Sequence, residues 1–164
     1  GDTLNGGAGT DSIDGEGGAD TLTGGSGVDT FIQSDGDSVL ITAQSNAGGN
    51  FAAGDTLTFG NGVDIITDFT AGSGGDVIDG TVTAAFTTLI GETEATLTAS
   101  KMMFASGSWN DTSKVFTVMA DGVGSDTLLV DTTVAAERDI ATADGIMILL
   151  GVDSDDLVAA DNLT

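Results

Sequence analysis

The carboxylates of Asp2, Asp11, Asp20 and Asp29 recur every nine residues, the last three closing the Gly-rich hexapeptides GGAGTD, GEGGAD and GGSGVD. The chain has no His and no Cys, so oxygen is the donor these segments offer a metal. Oxygen-only cages favour a hard ion, and Ca²⁺ accepts six to eight oxygens at roughly 2.3 to 2.6 Å where Mg²⁺ demands tighter octahedral geometry. Calcium is the expected ion. The glycines at positions one, two and four of each unit permit backbone angles that turn carbonyl oxygens inward. They are Gly6, Gly7 and Gly9, then Gly15 and Gly18, then Gly24, Gly25 and Gly27. Glu16 replaces the second glycine of its unit, which predicts a non-glycine residue with positive φ there.

The full unit is G-G-x-G-x-D-x-U-x, with U a large apolar residue: Leu4, Ile13, Leu22 and Phe31 in turn. A six-residue turn followed by a three-residue strand, repeated, winds a parallel β-roll with U facing a narrow core. Successive turns fall on opposite sides of the roll, so turns two units apart stack and share a cation. The expected carboxylate pairs are then Asp2 with Asp20 and Asp11 with Asp29. A flexible Gly-rich linker is the competing reading, but a linker has no need of a large apolar residue in register in every unit. Gly1 to Asn5 are the last five positions of a preceding unit, so the chain is expected to begin inside the array, as a fragment or processed product.

The 164 residues carry 26 acidic and 3 basic side chains, a net charge of −23, and divalent cations between carboxylates relieve such self-repulsion. Without calcium the Gly-rich first third is expected to stay disordered. The whole is nevertheless 40% hydrophobic, enough for one or two compact units. Absence of Cys excludes a disulfide framework and thiol chemistry, and no apolar run is long enough to span a membrane. An acidic surface of this density makes nucleic acid and anionic membranes poor partners.

After Ile32 the frame fades through QSDGDSVLI, where Asp35 or Asp37 could supply a carboxylate opposite Asp20. An interruption around residues 42–53 follows. GDTLTFGNGVDIITDF then restores the pattern, with Asp55 before Leu57 and Asp64 before Ile66. Asp64, Asp68, Asp76 and Asp79 cluster around a Gly-rich turn and read as a terminal calcium site closing the roll, against the plainer reading of a solvated acidic loop.

Residues 81–164 read as a second unit, an antiparallel β cap with short helices packed on the end of the roll, so the fold class is all-β. AAFTTLI suits a strand or short helix, and ETEATLTASKMMFA has helical propensity. SKVFTVMA and DTLLVDTTV read as strands joined by DGVGS in a hairpin, IMILLGV as a buried strand, and DSDDLVAADN as a short helix capped by Asp153 or Ser154. Trp109, Met102, Met103 and Phe104 read as packing residues of this cap. VDTTVAAERDIATADG lacks the D-x-D-x-D-G order of an EF-hand and reads as loop or helix.

The nonapeptides GGAGTDSID and GGSGVDTFI, the stretch DIITDFTAGSGGDVID and the closing IMILLGVDSDDLVAADNLT together resemble the C-terminal region of repeats-in-toxin (RTX) proteins, type I secretion substrates of Gram-negative bacteria. The resemblance implies calcium in several sites, an uncleaved export signal near the terminus, a type I exporter as partner, and a secreted, extracellular or cell-surface location. It implies acidic repeats that stay unfolded where calcium is scarce and fold outside the cell. Three function classes follow. One is a non-catalytic calcium-folding module; another is a surface-layer, fibre or adhesin subunit, with copies of itself or a cell-surface polysaccharide as partners. The third is the tail of a secreted protease or lipase. No H-E-x-x-H and no G-x-S-x-G occurs, so a catalytic domain would lie upstream of Gly1.

Overall fold

The computed structural model describes residues 1–34, 41–46, 50–60, 62–80, 87–90, 102–131 and 145–164. Each nonapeptide turn releases a short strand at the residue after its aspartate. These are β1 (Thr3–Ala8), β2 (Ser12–Asp14), β3 (Thr21–Ser26) and β4 (Thr30–Ile32). β1 pairs with β3 in parallel, Leu4 opposite Leu22, and β2 pairs with β4, Ile13 opposite Phe31. The offset is therefore two units, and the apolar positions of alternate units stack into two facing rows as expected of a roll, but β1 and β3 run six residues rather than three, through the first three positions of the next turn.

The chain then leaves the roll for β5 (Ile41–Gln44) and β6 (Thr56–Phe59), and returns as β7 (Asp64–Ile66) and β8 (Val77–Asp79). Ile66 lies opposite Leu22, and Ile78 opposite Phe31, so these strands form the third coil. Asp55 and Leu57 are not part of it. β6 instead pairs antiparallel with β5 and with β11 (Val115–Val118). The reason is legible in the turn: the positions equivalent to the second and fourth glycines before Asp55 are Phe51 and Ala53, whereas those before Asp64 include Gly62, at φ 88°.

The remaining strands are β9 (Thr87–Thr88), β10 (Met102–Asn110), β12 (Asp126–Asp131) and β13 (Gly145–Leu149). One sheet runs β1-β3-β7-β13-β12-β10-β11-β6-β5, with β9 beside β10, and a second runs β2-β4-β8. The first sheet is parallel up to β13, which lies parallel to β7 with Leu149 opposite Ile66, and antiparallel from β13 to β5. Opposite β13, Leu163 bridges Ile78 in parallel. Residues 145–164 thus supply a fourth coil. The sheet crosses residue 80 without a break, and β5 and β6 belong with its antiparallel half.

Two apolar clusters lie on opposite faces of the shared sheet. The roll cluster joins Ile13, Leu22, Phe31, Ile66 and Ile78 to Met102, Leu129, Met147, Leu149 and Leu163, with Leu4 partly buried at its edge. The other joins Phe51, Leu57, Phe59, Ile65, Leu89, Met103, Phe116, Leu128, Val130, Ile146 and Ile148. Alternate residues of β12 and β13 feed alternate clusters, as the two-residue period of a strand requires. This double burial explains the uninterrupted run IMILL.

Three expectations for the second half are corrected. β11 and β12 do not form a hairpin, because β10 lies between them and pairs antiparallel with both. The DGVGS turn crosses the end of β10, where Ser125 N–H donates to the Gly107 carbonyl at 3.1 Å. Met102 to Ala105, expected in a helix, are in strand β10, where Met102 enters one cluster and Met103 the other; burial on both faces overrides helical propensity. The closing segment DSDDLVAADN forms a 3-10 turn, Ser154–Asp156, capped by the Asp153 side chain on Asp155 N–H, and a separate one-turn helix α1 (Ala159–Asn162). Residues 91–101, 132–144 and 84–86 of the segments read above lie outside the described residues, while Thr87 and Thr88 form β9, parallel to β10.

Phe31 is fully buried and packs on Phe69 at 6.0 Å between ring centroids. Phe31→Ala is expected to cost about 3–5 kcal/mol of stability in saturating calcium, while Val123→Ala, at a residue 54% exposed, changes it by less than about 0.5 kcal/mol. Urea titrations of the two variants provide the comparison.

Candidate metal centre

The roll aligns its aspartates into two columns, one on each side. The backbone N–H of Asp11 donates to Asp29 Oδ1 at 2.9 Å, and that of Asp29 donates to Asp76 Oδ1 at 2.8 Å. On the opposite side Asp2 N–H donates to Asp20 Oδ1, and Asp20 N–H to Asp64 Oδ1 at 2.8 Å. The expected pairs, Asp2 with Asp20 and Asp11 with Asp29, are therefore neighbours through a repeated side-chain-to-backbone bond. The backbone repeats with them: Thr30 N–H donates to Asp11 O, and Val77 N–H to Asp29 O, each at 2.8 Å.

This bond occupies Oδ1 of Asp20, Asp29, Asp64 and Asp76, whereas Asp2 and Asp11, at the open ends of the columns, take part in it only as donors. Oδ2 of Asp11 and Oδ2 of Asp20 are buried without a hydrogen-bond partner. Burying an unpaired carboxylate oxygen is costly, more so than a neutral acceptor, unless a cation or donor reaches it. Each faces the first glycine of its own turn. A Cβ at Gly6 would lie 2.9 Å from Asp11 Oδ2, one at Gly15 3.1 Å from Asp20 Oδ2, and one at Gly24 2.4 Å from Asp29 Oδ2. Glycine at position one thus makes room for the carboxylate.

Positions two and four have a different requirement. Gly7 and Gly25 share φ near 100° (97° and 100°), and Gly9 and Gly27 share φ near 130° (129° and 131°), so stacked turns repeat one backbone shape. They are in close contact, since a Cβ on Gly25 would fall 1.9 Å from the Gly7 carbonyl oxygen and one on Gly27 1.8 Å from that of Gly9. Glu16 does adopt positive φ, 54°, with its N–H bonded to Asp14 Oδ1 at 2.8 Å, and Gly18 follows at 146°. Among the described residues no three acidic side chains converge as a metal-binding group. A cation between stacked turns would have one or two carboxylates, and whatever backbone carbonyls the turns offer, as an all-oxygen donor set of the kind that suits Ca²⁺.

The acidic residues read as a closing site are not drawn together. Asp68 accepts from Gly24 N–H and Gly25 N–H, one at each oxygen, both at 2.8 Å. Asp76 accepts from Asp29 N–H and, through Oδ2, from Thr70 N–H at 2.8 Å. Asp64 belongs to the other column, and Asp79 is exposed at the end of β8. The third coil ends the columns by spending the carboxylates of Asp68 and Asp76 on peptide N–H groups. Asp55, outside the roll, caps its own turn through Ala52 N–H at 2.9 Å. Asp37 lies outside the described residues.

Two residues with structural roles at these turns escaped sequence reading. Asn162 is fully buried and bonds the third-coil turn at Gly72 and Asp76. Asp126 closes the sequence Gly122-x-Gly124-x-Asp126-x-Leu128, with φ 66° and 141° at the glycines, the same spacing as a nonapeptide turn. Its two oxygens accept from Trp109 N–H at 2.8 Å and Gly151 N–H at 3.0 Å, so here hydrogen bonds occupy the carboxylate. The spacing could have flagged this turn, while nothing local marks Asn162. Trp109 packs edge-on to Phe59 at 5.8 Å, with the Lys114 ammonium 6.0 Å from its ring; a hydrogen bond from Lys114 holds the Asp111 carboxyl below the ordinary carboxylate range.

Residues 1–31 match the RTX calcium-binding nonapeptide repeat in four copies. No curated protein matches the chain. The first coils are thus RTX calcium-binding repeats, and Ca²⁺ is the ion that the unpartnered carboxylate oxygens fit.

Asp11→Ala removes one of those oxygens, while Asp121→Ala removes an exposed carboxylate in the β11–β12 crossing, with one long 3.4 Å contact to Ser154. The calcium midpoint of folding, followed by circular dichroism, should rise several-fold for Asp11→Ala and stay within about twofold for Asp121→Ala, in keeping with an effect of about 1–3 kcal/mol for a buried polar group. Equal midpoints would reject the division of roles.

Proposed function

We propose that this chain is a non-catalytic, extracellular calcium-binding module that passes a type I exporter unfolded and folds on calcium outside the cell. The observation that carries the reading is the pair of buried, unpartnered carboxylate oxygens of Asp11 and Asp20, set in glycine turns whose stacked copies leave no room for a Cβ at Gly25 or Gly27. Calcium supplies the charge and coordination those oxygens lack. Its binding free energy becomes folding free energy, RT ln(1 + [Ca²⁺]/Kd) for each site, or about 2.7 kcal/mol at a hundredfold excess over Kd. Where calcium is scarce that term vanishes, and a chain of net charge −23 with 26 glycines has little to hold its coils together.

Composition supports the non-catalytic part of the reading, since a chain with no His and no Cys lacks the commonest general base and the thiol nucleophile. Among the described residues no helix is long and apolar enough to cross a membrane. The export part rests on the likeness of the buried strand β13 and the acidic segment after it to an apolar-then-acidic export signal.

Addition of EGTA is expected to abolish most of the β signal contributed by the roll and calcium to restore it; a spectrum indifferent to both would sink the folding part of the reading. Residues 101–164 fused behind a passenger are expected to carry it through a type I exporter. Retention of every such passenger in the cell would remove the export part and leave the calcium module standing.

A further inference from the structure

Asn5 is followed by Gly6, and both lie in β1, an edge strand of the long sheet that pairs on one side only, with β3. Asn5 is exposed, and a cleft of about 360 Å³ that has Leu4, Asn5, Gly6, Asp11 and Ile13 among its walls admits water beside it. An Asn-Gly step carries a latent reaction. The peptide nitrogen of Gly6 attacks Cγ of the Asn5 amide, the bond from Cγ to the side-chain nitrogen breaks, and ammonia leaves with the proton that Gly6 N gives up. A five-membered succinimide remains. Water then adds to either ring carbonyl and opens the ring to aspartate or isoaspartate, with no oxidant or other reactant. Glycine in second place favours the attack, because it has no side chain to crowd the nitrogen and leaves the backbone free to turn.

The fold opposes that turn. The ring closes only when Gly6 N swings to the side of Asn5 Cβ, well away from the ψ of roughly +115° kept in a parallel strand. In β1, Asn5 is held opposite Thr23 and Gly7 opposite Gly25, so the reaction proceeds from opened β1 and its rate follows the opened fraction. We propose that Asn5–Gly6 is a site of spontaneous deamidation guarded by calcium, and that isoaspartate formed there disables the first coil. Isoaspartate lengthens the main chain by one atom between Asn5 and Gly6. A Cβ on Gly6 would lie 2.8 Å from Gly24 O and 2.9 Å from Asp11 Oδ2, so there is no slack to absorb the extra atom. The lengthened strand loses its register with β3 and shifts the turn that presents the buried, unpartnered oxygen of Asp11. A chain that meets calcium promptly keeps this coil, and one held without calcium loses it irreversibly.

The inference rests on the calcium reading, and ageing the intact chain separates the two. Samples are held in calcium or in EGTA at mildly alkaline pH, and tandem mass spectrometry locates any gain of about one mass unit. The gain at Asn5 should appear at least tenfold faster in EGTA than in calcium, while Asn110, exposed but followed by Asp111, should change little in either. After ageing in EGTA, the calcium midpoint of folding by circular dichroism should rise about tenfold. An equally aged Asn5→Gln chain, which would have to close a larger ring, should keep its midpoint within twofold. Unaged Asn5→Asp, which has the new charge without the extra main-chain atom, should do the same. Equal rates at Asn5 in calcium and EGTA, in a chain that still folds on calcium, overturn the proposal alone, as does an aged midpoint no higher than that of aged Asn5→Gln. Equal rates with a spectrum indifferent to calcium overturn both readings.

Discussion

Everything in the roll follows from stacking like charges at strand spacing. Parallel strands bring the next copy of every turn to about 4.8 Å away, and here each copy presents an aspartate. Hydrogen bonds neutralise part of this, because Asp20, Asp29, Asp64 and Asp76 each lend one oxygen to the N–H of a neighbouring aspartate. Oδ2 of Asp11 and Oδ2 of Asp20 are left over, buried and unmatched. A divalent ion is the simplest agent that can satisfy several such oxygens at once, and the all-oxygen donor set selects calcium among the common ions.

The third coil and the Asp126 turn show the same kind of carboxylate engaged by peptide N–H groups. Asp68, Asp76 and Asp126 each receive two peptide N–H groups. Their turns pack against apolar clusters that bury Phe69, Val152 or Leu128. The difference between the ends of the roll is therefore one of supply. Where neighbouring chain delivers two N–H donors the carboxylate becomes a structural acceptor; Asp11 and Asp20 each keep an oxygen that no such donor reaches.

Much of this was legible in the sequence because it is periodic. The inward row Leu4, Ile13, Leu22 and Phe31, the spacing that pairs Asp11 with Asp29, and the positive φ of Glu16 all follow from one nine-residue rule. Periodicity misled once, at Asp55 and Leu57, where the aspartate and apolar positions match but Phe51 and Ala53 stand where the turn needs glycine. The rest depends on contacts between distant segments. Nothing local says that β10 separates β11 from β12, that Met102 to Ala105 are extended, or that Asn162 meets Gly72. Those arrangements are chosen by which apolar faces can be buried together, and a single sequence carries no period that reports them.

The span of chain closed by each coil grows steadily along the roll. Asp2 and Asp20 are 18 residues apart, Asp20 and Asp64 are 44, and Gly72 and Asn162 are 90. A 90-residue closure costs roughly 1.4 kcal/mol more in chain entropy than one of 18, at about 0.6 kcal/mol for each doubling. The local coils are thus the quickest to try, yet Leu4 at their outer edge stays partly exposed, while Leu149 and Leu163 at the far end are buried. Ease of encounter and strength of retention run in opposite directions, so that repeated early encounters at the Gly-rich end are fleeting until an ion prolongs them.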